Sequence, residues 1–130
     1  MNNVFSHVYL FPRRPFATVK DFFRAIKWGF QRVSRGYADV DVWSIDGWFL
    51  SVVPDMIAQL RREIHGHPSD MTEEEWDKYL SELESCLRAG DYFELEIPAT
   101  VKSYDEYASA LGSLHRGLSM FSERFYDLWD

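Results

Sequence analysis

Apolar residues recur at helical spacing in four stretches of the chain, and the polar residues between them carry helix start and stop signals. In the first stretch Val19, Phe22, Phe23, Ile26, Phe30 and Val33 fall on one arc of about 100°, the pattern of an amphipathic helix. Thr18 and Asp21 form a variant capping box at its start, Arg32 and Arg35 occupy its last turn, and Gly36 supplies the stop. Lys20, Arg24, Lys27 and Arg35 fall on the face opposite the stripe, with Trp28 among them.

A second helix is expected to begin near Asp39 or Asp41, either of which can cap free N–H groups. Its stripe is Trp43, Gly47, Leu50, Val53, Ile57, Leu60 and Ile64; Pro54 removes one hydrogen bond and is expected to kink the rod without ending it. His65-Gly66-His67-Pro68 turns the chain. Thr72 and Glu75 form a capping box for a third helix with Trp76, Tyr79, Leu80, Leu83 and Leu87 inward and Gly90 closing it. Residues Asp91 to Ala99 read as a loop. Ser103 and Glu106 open a last helix whose inward positions, Tyr104, Tyr107, Leu111, Leu114, Leu118, Phe121, Phe125 and Leu128, follow a heptad repeat. Such a repeat wants shallow helix crossings. The expected fold is therefore all-α, a compact bundle of about four helices with a kinked second helix, in one domain over residues 1–130 with 1–17 as an extension.

Charge changes this picture by dividing the chain at Gly36. Before it stand seven basic residues (Arg13, Arg14, Lys20, Arg24, Lys27, Arg32 and Arg35) against Asp21; after it stand 7 against 20 acidic ones, within a net charge of −7 for the 130 residues. A surface so largely acidic repels phosphate, so nucleic acid or an anionic membrane surface is admissible as a partner only through residues 18–35. The single Cys86 excludes an internal disulfide and a multi-thiolate zinc site, and it fits a reducing cytoplasm. No signal-peptide h-region and no apolar run of membrane-spanning length is present in the sequence.

Candidate chemistry is sparse. Asp39, Asp41 and Asp46 form the densest set of oxygen ligands, with His65 and His67 at the far end of the same expected helix, a weak candidate site for Mg²⁺ or Mn²⁺. Asp46, beside the buried stripe, needs a partner, and Arg35 or Arg32 is the expected one. His7, His65, His67 and His115 are candidate bases and Ser44, Ser51 and Cys86 candidate nucleophiles, yet none stands in a catalytic spacing. No catalytic residue and no cofactor is assigned. The candidate binding residues are Lys20, Arg24, Lys27 and Trp28 on the first helix, and Glu73, Glu74 and Asp77 on the third, where Glu75, Glu82 and Glu84 extend the negative face.

The run Arg35-Gly36-Tyr37-Ala38-Asp39-Val40-Asp41-Val42-Trp43-Ser44-Ile45-Asp46, then His65-Gly66 with Pro68, then Thr72 to Trp76, resembles a family of small proteins encoded by bacteriophages and prophages. The segment from Gly117-Leu118-Ser119-Met120-Phe121 through Phe125 to Leu128-Trp129-Asp130 is similar to the same family's ending, so the resemblance covers about residues 30 to 130. It implies a phage setting, in the host bacterial cytoplasm, and no catalytic residue. The leading expectation is a non-enzymatic accessory protein that binds a macromolecule, most naturally a protein, and inhibits a host or defence factor. A phage assembly component and a small Mg²⁺- or Mn²⁺-dependent enzyme are the alternatives.

Overall fold

The computed structural model describes residues 19–90 and 104–129. The Thr18 and Ser103 caps, Arg13, Arg14, His7, the 1–17 extension and the Asp91–Ala99 loop lie outside the described residues. The class is all-α: α1 spans Val19–Arg35, α2 Ile45–Glu63, α3 Glu73–Arg88 and α4 Tyr104–Glu123, with 3₁₀ turns at Asp39–Trp43 and Phe125–Asp127. No strand occurs among the described residues. Packing divides the chain into two units, Met1–Val52 and Val53–Asp130. The division falls within α2, one residue before Pro54, and the helix continues through the proline as its unbroken stripe implied.

The first unit corrects the expected start of the second helix. Asp39–Trp43 is a separate 3₁₀ turn, and α2 starts only at Ile45. The cause is Asp41, whose Oδ2 accepts the Ala38 N–H at 2.7 Å. Its side chain folds back on the turn, and the turn closes with the Ser44 N–H donating to the Asp41 carbonyl. Trp43 is consequently 83% exposed and is no part of the inward stripe.

In the second unit, α3 carries the core. Thr72 Oγ1 accepts the Glu75 N–H at 3.2 Å and Glu75 Oε2 accepts the Thr72 N–H at 2.8 Å, the reciprocal box read from the sequence. Trp76, Leu80, Leu83 and Leu87 are fully buried on one face, each contributing about 1.5–3 kcal/mol by area removed from water. α4 packs against α3 on a face that only partly coincides with the expected heptad seam: Leu111, Leu114, Phe121 and Leu128 are half-buried, Tyr104, Tyr107, Leu118 and Phe125 are exposed, and the buried positions are Gly117 and Met120. Gly117 turns the face, because with no side chain there α4 comes within van der Waals reach of Cys86 and Leu87. The Tyr79 hydroxyl donates to the Met120 carbonyl at 2.8 Å and fixes the register one turn further on. Guanidinium–carboxylate pairs tie α3 to its neighbours, from Arg61 to Asp77, Arg88 to Asp55 and Arg116 to Glu82.

Candidate functional site

α1 presents its faces the opposite way round from a core helix. Its one buried residue is Ala25, at 5% exposure, whereas the apolar stripe is open along its whole length, from 47% at Phe22 to 87% at Val33. At 100° per residue the stripe occupies one arc, Lys27 lies just past its edge, and Lys20, Gln31, Arg24, Arg32 and Ala25 span the side across from it. The polar side is the one held by the unit. Phe22 and Phe23 meet edge to face at 5.8 Å within the exposed stripe itself.

The hold is electrostatic. Arg32 grips Asp41 in a two-point fork, Nε to Oδ2 at 2.9 Å and Nη2 to Oδ1 at 2.6 Å, with both side chains below one-tenth exposed. Burial raises the Asp41 pKa, but hydrogen bonds from Arg32 and the Ala38 N–H outweigh it and leave the carboxyl below its ordinary value. Asp39 collects the next layer: Gln31 Nε2 donates to it at 2.8 Å, Lys27 Nζ lies 3.4 Å away, and Arg35 Nη2 donates to its other oxygen. Gln31 Oε1 in turn accepts the Asp39 N–H at 3.0 Å. Donation by Gln31, then by Arg35, brings the Asp39 pKa down to about 2. Gly36, at φ +85°, makes the reversal that lets one helix end meet its own following turn.

The expected Arg35–Asp46 pair is therefore replaced. Arg35 binds Asp39 and the Tyr37 carbonyl and covers the Tyr37 ring at 4.6 Å. Asp46 is exposed at the start of α2, where the Gly47 N–H and then the Ser44 hydroxyl lower its pKa. The break at Ser44 rotates Asp46 away from the face it would occupy in a continuous helix.

The same geometry does not assemble Asp39, Asp41 and Asp46 into one ligand set. No group of three His, Cys, Asp or Glu side chains among the described residues could hold a metal ion, and the Asp39 and Asp41 oxygens are taken by guanidinium and amide donors. Ser51 donates to the Trp48 carbonyl, Ser44 to Asp46, and Cys86 packs against Gly117, so none of the candidate nucleophiles is set against a histidine by these contacts. His65 and His67 are exposed in the turn after α2.

The acidic face of α3 is also less bare than its sequence. Glu73 and Glu74 are exposed in the first turn, but Arg61 forks onto Asp77 at 2.6 and 3.1 Å, Arg88 binds Glu84 at 2.9 Å, and Arg116 binds Glu82. Of the basic candidates, Lys20 and Arg24 are exposed, Lys27 leans on Asp39, and Trp28 is half-buried with the Arg24 guanidinium 5.9 Å above its ring. Sequence reasoning missed Gln31, Ala25 and the paired role of Asp41. The available signal was Ala25 itself, a small residue that with Gly29 interrupts the bulky ones in the middle of α1.

Hollows accompany these surfaces. One of about 350 Å³ in the first unit is lined by Tyr37, Asp41, Val42, Ile45 and Trp48. In the second unit a groove of about 440 Å³ runs along Met56, Leu60, Phe121 and Phe125. A smaller hollow there, about 120 Å³, is bordered by His67, Asp127 and Trp76, whose buried indole N–H has no acceptor among the described residues. No protein-family model, no curated protein and no solved structure matches the chain.

Proposed function

We propose that this chain is a non-enzymatic accessory protein of phage origin that works in the host cytoplasm by binding a macromolecule, and that the apolar face of α1 is its contact element. The observation that carries the reading is the exposure of Val19, Phe22, Phe23, Ile26, Phe30 and Val33 on a helix whose polar side carries the Arg32–Asp41 clamp. Exposed apolar area of this continuity is what an interaction surface looks like, and it is costly to leave in water without a use. The phage setting rests on the resemblance of the Arg35–Asp46 run, the Thr72–Trp76 cap and the C-terminal segment. A contact through α3 has less support, because arginines neutralise Asp77, Glu82 and Glu84. No helix among the described residues is long and apolar enough to cross a membrane.

The reading predicts that the double substitution Phe23→Ser with Phe30→Ser leaves stability within about 0.5 kcal/mol per site, as for surface positions. Retention on an alkyl or phenyl matrix falls sharply at the same time. An unfolding free energy in urea lowered by several kcal/mol would instead mark the stripe as core and remove the proposal.

A further inference from the structure

We infer that the hollow bordered by Trp76 is a binding site for a neutral carboxamide carried on a small apolar body, whose carbonyl oxygen accepts the Trp76 indole N–H. The site lies wholly within the second unit and does not depend on the reading of α1. Trp76 is 1% exposed, and its indole N–H has no acceptor among the described residues. A donor buried without a partner is costly, and native proteins leave few of them so. Its stacking neighbour does not serve it: the Tyr79 ring lies 5.6 Å away, with its hydroxyl turned to the Met120 carbonyl. An acceptor from outside the chain has the hollow as its approach to the indole.

The walls choose the guest. The hollow measures about 120 Å³ and is lined by Ile64, Pro68, Trp76 and Trp129, with Gly66 in the turn after α2 and Asp127 at the end of the last 3₁₀ turn. A single water needs about 10–15 Å³ and two to four polar partners, so water fills so apolar a space poorly. An apolar cavity of about 150 Å³ holds a benzene ring, which sets the guest at about six heavy atoms. Charge decides its polar end. Arg124 reaches Asp127 at 3.3 Å but forks onto Asp70 at 3.1 and 2.8 Å. One guanidinium serves two carboxylates, so Asp127 keeps part of its negative charge and disfavours an anion, while a cation offers the indole no acceptor. A carboxamide meets both groups: its oxygen accepts from Trp76 and its N–H donates to the Asp127 carboxylate. A free small amide and the main chain of a peptide share this chemistry.

The test follows the five tryptophan indole N–H signals of the isotope-labelled full chain by NMR, with Trp76 assigned by its loss in Trp76→Phe. Isobutyramide, the free amide, is expected to shift the Trp76 signal with a midpoint on the order of 10 mM. The exposed Trp43 signal stays in place. Isobutyrate and isobutylammonium, of the same branched shape, are expected to shift neither. Valine blocked as its N-acetyl N-methylamide carries the same groups on a main chain: a midpoint below that of isobutyramide makes the natural ligand a peptide, and one above it a free small amide. Trp76→Phe keeps an aromatic ring on the core face and removes the donor, so binding followed at the Gly66 and His67 main-chain amides weakens at least about fivefold. A Trp76 signal that stays in place, one that moves equally with isobutyrate, or an unchanged midpoint in Trp76→Phe would overturn the inference. If Trp76→Phe unfolds, the amide, the carboxylate and the ammonium still decide it on the parent chain.

Discussion

Asp41→Ala will cost about 3–5 kcal/mol, because it strands the Arg32 guanidinium, almost fully buried, without its counter-charge. The Ala38 N–H loses its acceptor in the same substitution. Arg32→Met with Asp41→Leu should cost much less than either single change, since a pair removed whole leaves no unpaired charge. Amide exchange over residues 25–38 together with urea denaturation reads both results. The same pair sets an acid limit. The Asp41 pKa is lower folded than its ordinary 3.8, so its contribution is complete above that value and disappears as pH falls through the lower folded one. The parent's first unit should therefore loosen below about pH 4, and a variant without Asp41 should lose that part of the acid dependence.

Gly117→Ala will destabilise, against the usual gain of about 1 kcal/mol for this change inside a helix. A Cβ at Gly117 would lie 2.9 Å from the Cys86 Cβ, 3.0 Å from the Leu87 nitrogen and 3.1 Å from the Cys86 carbonyl carbon. These are rigid atoms, so α4 must move away from α3, and the net loss is about 1–3 kcal/mol. Gly112→Ala, in the same helix with nothing within 4 Å of its Cβ position, is the control of opposite sign, a gain of roughly 0.5–1 kcal/mol. Equal effects at the two glycines, measured by thermal or urea unfolding, would mean that α4 does not approach α3 at Gly117.

The sequence spoke clearly where local chemistry decides the outcome. The Thr72–Glu75 box, the Trp76–Leu87 stripe, the Gly36 turn and continuation through Pro54 need only neighbours a few residues away. It misled where two segments compete for one group. Asp41 was legible as a cap, but its recruitment by Arg32 across nine positions splits the expected second helix, and periodicity carries no trace of that choice. On α4 the heptad pointed to leucines, while one glycine allowed a closer approach on the adjoining face. On α1 the period was right but gave no direction: a stripe says which residues share a face, and only the partners of Arg32, Gln31 and Arg35 say which face is turned inward. The candidate site was visible as Lys20, Arg24, Lys27 and Trp28, but periodicity does not tell that the phenylalanines across the helix from them stay exposed.

Which face of α1 is outward is the point on which the whole account turns, and thiol labelling measures it. In a Cys86→Ser background, single cysteines replace Phe23, Phe30 and Ala25, and each is titrated with a thiol reagent under native and denaturing conditions. The account predicts that positions 23 and 30 react in the native chain nearly as fast as in the unfolded one, while position 25 is strongly protected. Protection at 23 and 30 with free reaction at 25 would contradict it.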